Sequence, residues 1–334
     1  MALLFMDSFN HYANMIDKYG NSGIAEHAMP TIGSGGRTGG NCLVFNGGCA
    51  LKRSITTSDT VIVGFAWKCI WIGSVNPCMI LEFLNGASLL MELKFTNSRN
   101  FGLYRNGTLL GSLSADPFSD NIWYYLEVKI LFDGSVGTAE LRVNGNPWIS
   151  LAGQNTGVSQ CNQIMFGSGG SSDDSQRAGD LYICNDSGTV NNDFLGDSRV
   201  EVLLPSGAGA ETQWDPLAGA NWENVADVSP DSDTTYNKSN TVGQVDTYAM
   251  SNLVSATGVI YGVQKMNYVR KDNAGSRSVA PVLRIGGTDH VGASTSIGDS
   301  YAYTREIEEV SPATLSAFTI AEVNAMEMGV QVTA

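Results

Sequence analysis

A chain of 334 residues with 43% hydrophobic and only 16% charged side chains is long enough for two domains, each with a core, and too apolar to be disordered throughout. Its 33 acidic against 19 basic side chains give a formal net charge of -14, which opposes binding to the phosphates of nucleic acid and insertion into an anionic membrane surface. The 38 glycines against 9 prolines fit a chain of many tight turns, the look of an all-β protein.

The opening Met1-Ala-Leu-Leu-Phe-Met meets Asp7 at once and has no basic n-region, so it is not read as a signal peptide. No segment approaches the roughly 20 apolar residues of a membrane span. The chain is therefore expected to be made in the cytosol. Residues 3 to 9 predict a first strand, and Asn10 to Asn21 a polar connection bearing His11 and Tyr12. The glycine-rich run Gly33 to Gly40 precedes a strand rather than a helix, which favours a structural loop over a phosphate cradle. Strands are predicted at Cys42 to Phe45 and Ala50 to Arg53 about Gly47-Gly48, and at Thr60 to Ile72, which carries Trp67 and Trp71. Met79 to Phe83 and Leu89 to Thr96 follow about Asn85-Gly86, then Phe101 to Arg105 and Thr108 to Leu113 about Asn106-Gly107.

The stretch Asn121 to Ile149 is the clearest of all. Leu126, Val128 and Ile130 alternate with Glu127 and Lys129, which gives a strand with one face inward and one in water. Asp133-Gly134 opens a longer connection, and Asn144-Gly145 supplies a tight hairpin turn. Gln163 to Gly167, a polar loop over Gly169 to Ser175, and Gly179 to Cys184 complete a sandwich, with a boundary in the turn-rich run Asn185 to Ser198. Residues 199–334 are expected to form a second, smaller β-sandwich. It opens with a strand at Arg199 to Leu204, followed by a long surface loop at 205–246 pinned by Trp214 and Trp222. Later strands are expected at Thr247 to Leu253, Val259 to Arg270, Ser278 to Gly286 and Ser300 to Val310. Thr319 to Met326 predicts one short C-terminal helix, capped by Thr319 with Glu322, stopped by Gly329 and followed by a strand at Val330 to Val332.

No catalytic constellation emerges. His11, His27 and His290 share no zinc-ligand spacing, and no G-x-S-x-G elbow is present. Glu306 and Glu308 would project from one side of a strand, but they lie outside the first sandwich and are read as a solvated face. No cofactor is required. Calcium is the alternative reading of the acidic loops, with Asp173, Asp174 and Asp180 as ligand candidates and Asp231 with Asp233 as a second cluster. Tyr12, Tyr104, Trp148, Trp214 and Trp222 are candidates for stacking on sugar rings, whereas Trp67 and Trp123 are expected in the core. The cysteines Cys42, Cys49, Cys69, Cys78, Cys161 and Cys184 contain no C-x-x-C pair. Buried thiols are the favoured reading, and a Cys42–Cys49 disulfide is the alternative.

The run Trp123-Tyr-Tyr-Leu-Glu-Val-Lys, a turn, and Ala139-Glu-Leu-Arg-Val-Asn144-Gly145 resembles the core hairpin of laminin G-like, concanavalin A-like jelly rolls. Phe5-Met-Asp7-Ser-Phe9 and Gly179-Asp-Leu-Tyr182-Ile are similar to that family's first and last strands, which implies that they pair. The whole chain resembles tailed-bacteriophage virion proteins that join such a jelly roll, here residues 1–198, to a second β-domain. The match runs through Phe9-Asn-His-Tyr12, Asp193-Phe-Leu-Gly196-Asp-Ser-Arg199-Val, Asp233-Thr-Thr-Tyr236, Ile260-Tyr-Gly-Val263, Arg270-Lys-Asp272 and Phe318-Thr-Ile-Ala-Glu322-Val-Asn-Ala325. The resemblance implies a non-enzymatic structural protein of the phage tail, neck or head surface, such as a capsid decoration. It would be made in the host cytoplasm, located in the virion, and bound to other virion proteins as a homo-oligomer. A carbohydrate-binding adhesin that contacts host surface glycan is the alternative, and a glycan depolymerase a third reading.

Overall fold

The computed structural model describes residues 2–11, 19, 29–71, 77–114, 118–167 and 175–334. The chain divides into two compact units, Met1–Asn10 with Asn14–Val200, and His11–Ala13 with Glu201–Ala334.

The first unit is an antiparallel sandwich. Its strands begin with β1 (Leu3–Asp7), β2 (Thr31–Ser34), β3 (Asn41–Asn46), β4 (Ala50–Ser58) and β5 (Thr60–Trp71). Next come β6 (Cys78–Asn85), β7 (Ser88–Phe95), β8 (Phe101–Arg105), β9 (Thr108–Leu110) and β10 (Tyr124–Leu131). The last four are β11 (Gly137–Val143), β12 (Asn146–Gln154), β13 (Cys161–Gly167) and β14 (Ser175–Asn185). An eight-stranded sheet runs β12-β11-β10-β5-β14-β3-β2, with β1 paired to β14, and a six-stranded sheet runs β4-β13-β6-β7-β8-β9. The first and last strands pair as expected, with Met6 opposite Tyr182.

Side chains from both sheets interlock between them. The Trp67 ring lies 4.8 Å from Phe95 and 5.1 Å from Phe101, and Phe65 meets Phe166 at 5.4 Å. The Trp67 indole N–H, which burial would otherwise strand, donates to Gln176 Oε1 at 2.9 Å. Trp123, by contrast, is not a core residue: it is half-buried, with the Lys68 ammonium 4.8 Å from its ring. Asn106-Gly107 and Asn144-Gly145 take the paired positive φ values of a tight hairpin turn (48° and 75°, 50° and 79°). Between β6 and β7 only Gly86 is positive (58°), so Gly86 and Ala87 are the turn residues and Asn85 belongs to the strand. All six cysteines are buried thiols. Cys42 and Cys49 are not joined; their sulfurs donate instead to the carbonyls of Gly33 and Asn46.

The second unit holds β15 (Pro205–Thr212), β16 (Asp215–Pro216), β17 (Asn237–Lys238), β18 (Val245–Met250) and β19 (Val263–Val269). It continues with β20 (Arg277–Ile285), β21 (Thr288–Val291), β22 (Thr295–Ile297), β23 (Ala302–Glu308), α1 (Ile320–Ala325) and β24 (Glu327–Val332). Its main sheet runs β15-β18-β24-β20-β21, with β22 also on β20, while β16-β17 and β19-β23 form separate two-stranded ribbons. Leu283, Ile285, Phe318, Val323 and Met326 make a core against which Leu203, Leu253, Ile260 and Val263 pack. Thr319 caps α1 as expected, its side chain accepting from Glu322 N at 3.1 Å.

Three expectations are corrected here. The run 201–204 is not a strand, because it is held by side chains instead of a ladder. Glu201 accepts from Val254 N at 2.7 Å and Ser255 N at 3.1 Å, and Leu204 N donates to Ser251 Oγ at 3.1 Å. The 205–246 segment is not a structureless loop. It contains β15, β16, β17 and a 3-10 helix at Asn221–Val225. It is organised by buried Asp246, whose carboxylate accepts from Trp214 N (3.2 Å), Asn221 Nδ2 (2.7 Å) and Tyr248 OH (2.8 Å). Gly329 does not end the helix. It lies inside β24, where an added Cβ would sit 1.8 Å from the Asp246 carbonyl oxygen, so only glycine admits the close strand pairing.

Candidate functional site

In the six-stranded sheet Phe83, Phe95, Phe101 and Phe166 point toward the larger sheet. By the two-residue period of a strand, their neighbours point away. Register then lines up Lys52, Met165, Glu82, Glu92 and Tyr104 as a row across β4, β13, β6, β7 and β8 on the far face. Two acids thus stand directly opposite each other in adjacent strands, an arrangement that costs energy unless the charge is shared or neutralised. A bulge flanks the pair on each side. Register steps from Leu84 opposite Leu89 to Phe83 opposite Met91, leaving Leu90 extra, and from Leu81 opposite Leu93 to Met79 opposite Lys94, leaving Ile80 extra. Without the bulge at Leu90, Glu82 would face Met91.

The Glu92 side chain is 5% exposed. One oxygen, Oε1, pairs with Lys94 Nζ at 2.6 Å, and Oε2 is buried with no donor among the described residues. Burial and the facing Glu92 push the Glu82 carboxyl up to about 7, against the opposing pull of Lys94 and Lys52. Below about pH 7 the Glu82 carboxyl is therefore largely protonated and offers a donor as well as an acceptor. Lys94 Nζ also lies 5.3 Å from the Tyr104 ring centroid, and Ala50, Met79, Leu84 and Met165 form an apolar cluster in the same sheet.

The larger sheet carries a comparable row on its own far face, with Arg142, Glu127, Gly64, Tyr182 and Met6 opposite one another in turn. A Cβ on Gly64 would meet the Tyr182 ring at 2.1 Å, so glycine makes the space that the ring fills. Glu127 Oε1 accepts from Tyr182 OH at 2.5 Å and from Gly196 N at 2.8 Å, while Leu195 N donates to Tyr182 OH at 3.1 Å. Burial still pushes the Glu127 carboxyl up, against these bonds. Nearby, Asp180 accepts from Arg37 Nε at 3.1 Å and Val200 N at 3.0 Å, and Arg37 also binds Asp197 and the Ser198 carbonyl. Phe194 lies under the Arg142 guanidinium at 3.9 Å. This face is occupied by residues 193–200 of the same chain.

The sequence-derived candidates fare unevenly. Tyr12, Asp173 and Asp174 lie outside the described residues. Tyr104 is buried rather than exposed. Trp148 is half-buried, 4.9 Å from Phe118. Trp214 and Trp222 are half-buried, and the Trp214 indole donates to Gln244 O at 3.3 Å. The indole that stands exposed, at 58%, is Trp71. Asp180 spends its carboxylate on Arg37 and Val200. Asp233 binds Arg270 at 2.8 Å, and Asp231 caps Thr235 N at 3.1 Å. Glu306 and Glu308 do not form a solvated face. They hold the ammonium of Lys265, whose side chain is 1% exposed, at 2.7 Å and 2.8 Å.

Glu82 and Glu92 escaped the sequence reading. The available signal was one acid in each of two otherwise apolar strands, Met79-Ile-Leu-Glu-Phe-Leu and Leu89-Leu-Met-Glu-Leu.

No protein-family model and no curated protein sequence matches the chain. Among solved structures it is similar to the cellulose induced protein Cip1, with 15% identity over 54% of this chain and 96% of that chain and a TM-score of 0.42. It is similar also to the alginate lyase Aly36B, with 14% identity over 55% and 97% and a TM-score of 0.40. A sialidase matches with 11% identity over 53% of this chain but only 18% of its own length, at a TM-score of 0.37. No role or residue is carried over from likenesses of this size.

Proposed function

We propose that the chain is a non-enzymatic structural protein of a tailed-phage particle, acting through protein–protein contacts with other virion proteins and with further copies of itself. The observation that carries this reading is the 205–246 segment. Leu217, Val228 and Val242 are 48%, 52% and 64% exposed on it, yet its backbone is fixed from beneath by Asp246. Apolar side chains on a pre-fixed surface favour docking, because little conformational entropy remains to be lost. The phage resemblance of the sequence supplies the context. The test is a Leu217→Asp, Val228→Asp, Val242→Asp variant expressed during phage assembly. It is expected to fold, by circular dichroism, and to be missing from purified particles; incorporation at the wild-type level would overturn the reading.

A second reading, glycan binding, is favoured by the far face of the six-stranded sheet, where the Glu82–Glu92 pair, Lys94 and Lys52 place donors and acceptors side by side. Its test is retention of the purified protein on immobilised polysaccharide, with no retention on any glycan counting against it.

A further inference from the structure

Resting on the glycan reading, we infer that the far face of the six-stranded sheet binds an uncharged, hydroxyl-rich chain laid across the strands along Lys52, Met165, Glu82, Glu92 and Tyr104. Three observations converge on that ligand class.

The buried Glu92 Oε2 has no donor among the described residues, and a buried acceptor left in that state is costly. A ligand hydroxyl supplies the missing donor. The face carries both signs of charge: Lys94 pairs with Glu92, Glu82 stands opposite Glu92, and Lys52 lies on the other side of Met165. A uronate or sialate would meet the carboxylates, and a polyamine would meet the ammonium groups. A neutral polyol instead donates to the first and accepts from the second, so it loses nothing to like-charge repulsion. The row crosses four inter-strand steps of about 4.8 Å, roughly 19 Å in all, which is a length suited to a linear oligomer rather than a single ring.

The bulges at Ile80 and Leu90 give an independent reason to regard the acid pair as placed rather than accidental. Each interrupts the ladder on one side of the pair: the bulge at Leu90 brings into opposition two acids that a regular hairpin would hold apart, and that at Ile80 returns the strands to the hairpin's register beyond them.

The test is calorimetric titration of the whole protein with neutral cellohexaose and maltohexaose and with anionic alginate and hyaluronan oligomers, for the wild type, Glu92→Gln, Glu82→Gln and Trp214→Ala. The expected result is binding to at least one neutral oligomer, weakened tenfold or more by Glu92→Gln and by Glu82→Gln and unchanged by Trp214→Ala. Gln keeps the volume of Glu, and circular dichroism confirms that each variant is folded. Binding to the anionic oligomers alone, or neutral binding that both Glu variants leave intact, overturns the inference while glycan binding stands. Binding to none of these probes and retention on no immobilised polysaccharide removes the glycan reading itself.

Discussion

Glu127 and Glu92 each lie mid-strand on an outer face of the same sandwich, 1% and 4% exposed, and each leaves its Oε2 without a donor among the described residues. Around Glu127 the chain itself closes the site. A tyrosine hydroxyl and a backbone N–H converge on Oε1, and Phe194 is held under Arg142. Around Glu92 the one partner among the described residues is a lysine two residues along the same strand, and a second carboxyl faces it. Burial of a carboxylate is common to both. What differs is how many donors reach Oε1 among the described residues, two at Glu127 and one at Glu92, and the lesson is that a buried acid becomes informative about function when its own fold leaves it under-supplied.

The contrast can be broken at either face. Glu127→Ala should be the most damaging change, costing about 2–4 kcal/mol, because it leaves the Tyr182 hydroxyl and the Gly196 N–H without their acceptor. Chemical denaturation measures the loss, and hydrogen exchange at Gly196 should accelerate as the strap loosens. Gly64→Ala should follow at about 1–3 kcal/mol, since the new methyl must displace the Tyr182 ring.

On the other face the effects are smaller and depend on pH. Glu82 is pushed up to about 7 from its ordinary 4.5, so folding takes up a proton between those values and stability falls as pH rises through that window. After allowance for the solvent that reaches the group, wild type should lose roughly 1–2 kcal/mol between pH 5 and pH 8 from this source. Urea midpoints of Glu82→Gln should lack that component. The smallest effect on stability, below about 1 kcal/mol, is expected for Glu92→Gln. Its signature is spectroscopic: with the facing charge gone, the carbon-13 titration midpoint of Glu82 should move below that of wild type.

Much of the fold was legible where the chemistry is local. Asn106-Gly107 and Asn144-Gly145 announce their turns because asparagine and glycine tolerate the required φ, and Thr319 with Glu322 announces the cap of α1. The pairing of β1 with β14 followed from the family resemblance. The site was not legible, because it depends on register. Nothing in the sequence marks Leu90 as a bulge, and without it Glu82 and Glu92 do not meet. The hub at Asp246 was hidden for a related reason, since its donors come from Trp214, Asn221 and Tyr248 and only the folded chain gathers them. Polar composition made 205–246 look like a loop, and the side-chain bonds that give it shape leave no periodic trace.

The six buried thiols all belong to the first unit, and the second has none. Burial pushes the Cys161 thiol up to about 12 and raises that of Cys42, so the reactive thiolate is scarce as well as sheltered. Alkylation by a maleimide, or exchange with a disulfide reagent, therefore becomes a clock that runs only when the jelly roll opens. Set against hydrogen exchange at the backbone amides of β18 and β24, which belong to the second unit, it would time the unfolding of one half of the molecule independently of the other without any engineered probe.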